Sequence, residues 1–250
     1  MICLISGKPN TGKSTALRKI ADFLGIKRCA GLLAQEIMKE GERIGFSSHG
    51  LLCNEDIVLA HKEFSKDHAV EDFGVDLKAL EDVFEKEYEA ALHNKDVSFF
   101  LIDEIGRMQV MSKRFCSLLD RIAESEKDLI ATICYKDEIP YIRNFKQKKG
   151  NHLFILDESN RDELPLKIAM EVCKDDPLYL SKVKLAESYA NQEERYRFEE
   201  GKVILSSTHG TRIITKENGI YHCTCEYYEQ NGVCSHILSL LMRNKGERYG

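Results

Sequence analysis

The segment ICLISGKPNTGKS, residues 2–14, runs from a short apolar stretch into Gly7-x-x-x-x-Gly12-Lys13-Ser14. Behind it, residues 13–24 read as a helix, and Gly25 stands where a helix stop is expected. A strand, a glycine-bearing loop and a helix in this order form a cradle for phosphate. Glycines let the backbone wrap closely, so that N–H groups point inward at anionic oxygens, and the positive end of the helix lies beneath the anion. In such a loop Lys13 reaches the β- and γ-phosphates and the Ser14 hydroxyl ligates Mg²⁺.

Working outward, GLLAQEI and RIGFSSHG flank the polar turn MKEGE and predict a β-hairpin, continued by the strand IVLAH. Residues 76–93 place Leu77, Leu80, Val83, Phe84, Tyr88, Ala91 and Leu92 on one stripe, the pattern of an amphipathic helix. VSFFLID (97–103), LIATICY (129–135) and HLFILD (152–157) read as strands buried on both faces. Ser112 is placed to cap a helix from Lys113, and Ser159 or Asn160 to cap a closing helix in RDELPLKIAMEVC. Strands alternating with helices at this spacing predict a mostly parallel α/β sheet in three layers.

Asp103 and Glu104 end the run FFLIDE. A carboxylate at the C-terminal end of a strand beside the first one holds Mg²⁺ through water, and the next carboxylate polarises the attacking water. A cation on the transferring phosphoryl is also wanted. Arg107, Arg143 and Arg161 all follow strand ends, and the sequence does not choose among them.

Four blocks, GKPNTGKST, GLLAQEI…GERIGF, FFLIDEIGRMQVMSKRF and SNRDELP, resemble in order and spacing the cancer-related nucleoside-triphosphatase family over residues 1–173. The resemblance implies a RecA-like P-loop fold that hydrolyses nucleoside triphosphates with Mg²⁺ and little base preference. It implies phosphate contacts from the loop residues Gly7, Lys8, Pro9, Asn10, Thr11, Gly12, Lys13, Ser14 and Thr15, with Asp103 serving the metal and Glu104 the water. Gln109 departs from it, standing where that family usually has a glutamate.

Near the other end, Cys223-x-Cys225, eight residues, then Cys234-x-His236 supplies three thiolates and one imidazole, a donor set suited to closed tetrahedral zinc. About 60 residues hold little core of their own, so a metal staple is expected there. The spacing, the hairpin VILSSTHGTRIITKENG before it and the helix HILSLLM after it resemble the SWIM zinc domain over residues 185–245. That resemblance implies binding of nucleic acid or protein. Arg212, Lys216, Arg243, Lys245 and Arg248, with Tyr221, Tyr227 and Tyr228, are the candidate cations and stacking faces. His209 and His222 read as solvated hairpin residues.

The remaining six of nine cysteines stand singly among apolar neighbours, as small buried thiols do in a reducing compartment. No apolar run approaches the roughly 20 residues needed to span a bilayer, and the first residues read as a strand and not a signal peptide. A cytoplasmic protein without membrane contact is therefore expected. Charged residues make up 31% and the net charge is −5, which excludes a strongly basic nucleic-acid surface as an argument by itself.

The sequence therefore predicts three segments: a P-loop domain at 1–173, a linker with a charged helix at 174–194, and a small α+β zinc domain at 195–250. The leading function is Mg²⁺-dependent hydrolysis of nucleoside triphosphates. The alternatives are a nucleoside or nucleotide kinase, and an NTP-switched nucleic-acid-binding protein with incidental turnover.

Overall fold

The structure is a computed structural model that describes residues 1–136, 138–217 and 219–243. In chain order the first elements are β1 (Ile2–Ser6), α1 (Lys13–Leu24), β2 (Cys29–Lys39), β3 (Glu42–Gly50), β4 (Asp56–His61), β5 (Ala69–Val70) and β6 (Phe73–Val75). Next come α2 (Leu77–His93), β7 (Phe99–Ile105), α3 (Lys113–Ala123), β8 (Asp128–Ile133), α4 (Pro140–Gln147), β9 (Asn151–Ile155), α5 (Leu164–Val172) and α6 (Pro177–Ala190). The chain closes with β10 (Tyr196–Glu199), β11 (Lys202–Ser207), β12 (Gly210–Glu217), β13 (Ile220–Cys223), α7 (Glu226–Asn231) and α8 (Ser235–Arg243). No helix among the described residues is long and apolar enough to cross a membrane.

Two compact units result, one from Met1–Ser14 and Cys29–Asp157, the other from Thr15–Arg28 and the chain from Glu158 onward. The first is built on a nine-stranded sheet in the order β5-β6-β4-β3-β2-β7-β8-β1-β9. Strands β2, β7, β8, β1 and β9 run parallel. The predicted hairpin is β2–β3, and with β4, β6 and β5 it extends the sheet in antiparallel fashion. The sheet is thus mixed, and less parallel than the alternation of strands and helices suggested.

Two further expectations change. The strand ending in Asp103 is not beside the first strand: β8 lies between β7 and β1 and pairs with both. HLFILD is not buried on both faces either. As β9 it pairs with β1 at the sheet edge, and Leu153 and Ile155 are exposed.

The core of this unit joins Phe100, Ile102, Leu129 and Ala131 of the sheet to Leu80, Val83, Phe84 and Tyr88 of α2 and Phe115, Leu119 and Ile122 of α3. Burying each large side chain contributes roughly 1.5–3 kcal/mol. The α2 stripe differs from the expected one at two places. Leu92 is exposed, while Glu87 is fully buried and accepts the N–H groups of Gly31, Leu52 and Cys53 at 2.7, 2.8 and 2.7 Å. A buried carboxylate is tolerable here because three donors replace its water. Ser112 caps α3 as expected, accepting from the Phe115 N–H at 2.9 Å.

In the second unit, β10 to β13 form a four-stranded antiparallel sheet. Tyr189, Tyr196, Leu205, Ile214, Tyr228, Ile237 and Leu240 make its core together with Cys223, Cys225 and Cys234. Helix α5 starts later than the sequence suggested, at Leu164. Glu163 occupies its cap position without a capping side chain, and the Asn160 carbonyl takes the Glu163 and Leu164 N–H groups. Helix α1 ends at Gly25 as expected, with its face of Leu17, Ile20, Ala21, Asp22, Phe23 and Leu24 buried. The turn at Gly232, left-handed at φ 68°, approaches so closely that a side chain there would meet the Lys27 N–H at 2.7 Å.

Candidate active site and metal centre

The loop between β1 and α1 is shaped by what its residues permit. A Cβ at Gly7 would lie 2.5 Å from the Leu156 carbonyl oxygen, so only glycine lets the chain leave β1 at this point. Gly12 adopts φ 93°, a left-handed value that side chains disfavour. Lys8, Pro9 and Asn10 are exposed, and the Thr11 hydroxyl donates to the Lys8 carbonyl at 2.9 Å. The Lys13 ammonium folds back over the loop, donating to the Gly7 and Lys8 carbonyls at 3.1 and 3.3 Å. Ser14 is half-buried and Thr15 exposed in the first turn of α1.

Asp103 is buried in β7. Its Oδ1 accepts the Thr132 hydroxyl at 2.6 Å, whereas Oδ2 has no partner among the described residues. The buried Ser6 hydroxyl, at the end of β1, likewise has none. The register pairs Ile5 with Thr132 and Ile102 with Ala131, so Ser6, Asp103 and Thr132 share the carboxyl ends of three neighbouring parallel strands. That is where open α/β sheets build ligand sites.

Burial pushes the Glu104 carboxyl above its ordinary range. The Lys13 ammonium opposes this shift, Asp103 adds to it, and Lys146 opposes it again. A Cβ at Gly106 would come within 2.5 Å of Glu104 Oε1 and 3.1 Å of Gln109 Oε1, so the buried Gln109 amide shares this corner. A neutral amide here spares Glu104 a further negative neighbour. The site thus combines a glycine-shaped loop ahead of a helix, a buried carboxylate with one oxygen unpartnered among the described residues, and a second carboxylate whose burial raises its proton affinity.

Of the three candidate arginines, Arg107 is ion-paired with Glu138, Arg143 is exposed on α4 and Arg161 precedes α5. Lys146 is a cation that sequence reasoning missed. It is buried on α4 and donates to the Tyr135 carbonyl at 3.0 Å. It stands in PYIRNFKQ beside the polar Arg143, Asn144 and Gln147, and only burial distinguishes it. Thr132 was missed as well, although a polar residue at the end of the apolar run LIATI was the available signal.

The C-terminal cluster assembles as the spacing suggested. One ligand atom from each of Cys223, Cys225, Cys234 and His236 lies within 4.8 Å of the others, and all four side chains are buried. Cys223 ends β13, Cys225 caps α7, and His236 stands in the first turn of α8 just after Cys234. Helix α7, a short element between the two ligand pairs, is an addition to the elements expected from sequence. Hydrogen bonds from the other two thiols draw Cys225 down from its ordinary range, and the hydrogen bond with Cys225 in turn pushes Cys223 up. Tetrahedral zinc, with a sulfur bond near 2.3 Å and a nitrogen bond near 2.1 Å, sets sulfur and nitrogen roughly 3.6 Å apart, and Cys223 Sγ lies 3.8 Å from His236 Nδ1. The donor set fits zinc.

The tyrosines considered for stacking are engaged within the second unit. Tyr228 is buried and donates to the Tyr221 carbonyl at 2.9 Å. Lys216 lies over the Tyr221 ring at 4.8 Å and Lys182 over the Tyr227 ring at 3.6 Å. Arg212 donates to the His209 carbonyl, and Arg243 pairs with Glu193. His222 is half-buried and not freely solvated, its Nδ1 lying 3.3 Å from the Tyr228 hydroxyl, whereas His209 is exposed. Lys245 and Arg248 lie outside the described residues.

A family model described as "NTPase" matches residues 2–169. Nucleoside-triphosphatase THEP1 of Thermotoga petrophila is 36% identical over 164 residues, which cover 66% of this chain and 88% of that protein. THEP1 of Methanosarcina acetivorans is 34% identical over 167 residues, covering 66% and 92%. Among solved structures, the crystal structure of THEP1 from Aquifex aeolicus superposes with a TM-score of 0.61 at 28% identity, covering 67% of this chain and 96% of that one. The solution structure of a human cancer-related nucleoside triphosphatase gives a TM-score of 0.58 at 22% identity and shows a common fold, covering 69% and 97%.

Proposed function

This chain belongs to the NTPase family, and on that premise we propose that it is an Mg²⁺-dependent nucleoside triphosphatase converting NTP and water to NDP and phosphate. The observation that carries the reading is the cradle of residues 7–14 together with Asp103, whose Oδ2 has no partner among the described residues, and the proton-accepting Glu104. The free buried oxygen of Asp103 and the Ser14 hydroxyl suit a hydrated Mg²⁺, which when bound neutralises phosphate charge. The loop residues Gly7, Lys8, Pro9, Asn10, Thr11 and Gly12, with Thr15 after them, bind the phosphates through inward N–H groups and hydroxyls. Lys13 leaves the carbonyls of Gly7 and Lys8 for the terminal phosphates. Glu104 takes a proton from the attacking water, and its raised pKa brings its basicity nearer neutrality. Lys146 holds positive charge close to this carboxylate.

In this reading a RecA-like P-loop domain spans residues 1–173, a linker with its helix spans 174–194, and a SWIM-type zinc domain spans 195–250. Cys223, Cys225, Cys234 and His236 bind zinc, which staples a small sheet with a limited core. The zinc domain docks a macromolecule, either DNA or RNA or a protein. The engaged faces of Tyr221 and Tyr227 leave the nucleic-acid case resting on cations such as Arg212 and Lys216.

The test is phosphate release from ATP, GTP, CTP and UTP with Mg²⁺, with and without single- and double-stranded DNA and RNA. Lys13→Ala should abolish release, and unaltered release in that variant would refute the site assignment. Transfer of phosphate to an added nucleoside in place of water would establish the kinase alternative. Altered nucleic-acid affinity with negligible turnover would establish the switch.

A further inference from the structure

We infer that Thr132 is a positioning residue for metal-bound nucleotide: its hydroxyl fixes one oxygen of Asp103 and leaves the other for the hydrated Mg²⁺. The inference rests on the proposed Mg²⁺-dependent site and adds a residue to it.

The geometry is specific. Thr132 is fully buried near the end of β8, the strand inserted between the phosphate-loop strand and the strand of Asp103. Its hydroxyl donates to Asp103 Oδ1 at 2.6 Å. A buried threonine has few χ1 choices, so this donor is held in place and fixes the carboxylate plane. Buried carboxylates that serve only the fold are normally bonded at both oxygens, as the three donors around Glu87 illustrate. Among the described residues Asp103 Oδ2 is buried without a partner, and so is the Ser6 hydroxyl at the end of β1, on the other side of β8. Two orphaned polar atoms beside the phosphate loop call for a ligand that brings its own hydrogen bonds, and the water shell of Mg²⁺ does so. Outer-shell partners of this kind orient the groups that hold a metal, and removing one typically weakens metal affinity or activity 10- to 100-fold.

A purely structural threonine would act differently, since its loss would lower stability and leave metal dependence alone. The experiment therefore compares the full chain with Thr132→Val, which keeps the shape and loses the donor, and with Thr132→Ser, which keeps the donor. A non-hydrolysable fluorescent ATP analogue is titrated at a series of Mg²⁺ concentrations and again in EDTA, and Mn²⁺ binding is followed by electron paramagnetic resonance. Thr132→Val should raise the half-saturating metal concentration on the order of 10- to 100-fold. Its affinity for the analogue in EDTA should stay unchanged, and Thr132→Ser should behave like the parent.

A Thr132→Val protein that folds and titrates Mg²⁺ and Mn²⁺ like the parent overturns the inference. If the valine variant does not fold, Thr132→Ser and Thr132→Ala supply the same comparison, and equal metal dependence in those two overturns it as well. A parent protein that binds the analogue equally with and without metal refutes the Mg²⁺-dependent reading itself, an outcome distinct from failure of the Thr132 role alone.

Discussion

The carboxylate of Asp22, on α1, accepts the backbone N–H of Tyr221 at 2.7 Å, tying the helix that begins at Lys13 to the strand that ends at Cys223. Burial pushes the Asp22 carboxyl up to about 8, against the smaller opposing effects of the Tyr221 N–H and Lys216. Between the unfolded value of 3.8 and about 8 the folded chain holds a proton that the unfolded chain releases. The stability this group contributes is thus fully present below the unfolded value and is lost as pH rises through about 8. Asp22→Asn keeps an acceptor oxygen and removes the titration. Relative to this variant, the parent should lose stability as pH rises from 3.8 to about 8 and level off above that, with a slope of at most about 1.4 kcal/mol per pH unit. Denaturant midpoints that stay parallel across this range would contradict the assignment.

Glu104→Gln should lower kcat by roughly 10²-fold or more while leaving nucleotide binding intact, the expected size for losing a general base. Because the Glu104 carboxyl is raised above its ordinary value of 4.5, the parent's rate should fall with decreasing pH along a limb placed above that value. Single-turnover rates across pH read both effects. A limb that persists in Glu104→Gln would assign it to another group.

At Gly106 the expected effect is steric. A methyl group there meets the flexible end of Glu104 at 2.5 Å, and not a backbone atom. Gly106→Ala should therefore displace the carboxylate and reduce turnover on the order of 10²-fold, as misplacing a reacting group does. Its melting temperature should stay close to the parent's, and a parent-like kcat would show that Glu104 acts from another position.

The cluster of Cys223, Cys225, Cys234 and His236 should hold one zinc ion per chain, measured by elemental analysis of protein purified without chelator. Cys234→Ser should reduce that content and lower the melting temperature, because metal affinity in a small domain is folding free energy. Metal-free parent protein with an unchanged melting temperature would count against a structural metal.

Much of this was legible because local chemistry specified it. Residues 2–14 announce a strand, a loop and a helix through glycine and hydrophobic spacing, and Ser112 announces its helix through capping. The four residues of the cysteine–histidine cluster could be picked out because their spacing is short-range. What escaped was set by tertiary neighbours. The edge position of β9 depends on which strands flank β1, a matter of topology that HLFILD does not encode. Glu87 sits on an apolar stripe as a buried carboxylate because three distant N–H groups converge on it. Thr132 and Lys146 gain their meaning from the carboxylates of Asp103 and Glu104, which are far from them in sequence.

Helix α1 has a consequence for how this chain varies through descent. Its first residues, Lys13 and Ser14, belong to the proposed phosphate site, whereas Arg18, Asp22 and the following Gly25 and Lys27 face residues some two hundred positions later. A side chain at Gly219 would press on Arg18, one at Gly25 on Val233, and one at Gly232 on Lys27. Two unrelated selective pressures therefore meet on one short stretch. In an alignment of chains sharing both units, positions 18, 22, 25 and 27 should co-vary with 219, 221, 232 and 233, while positions 7, 12, 13 and 14 stay fixed whatever sequence lies beyond residue 173.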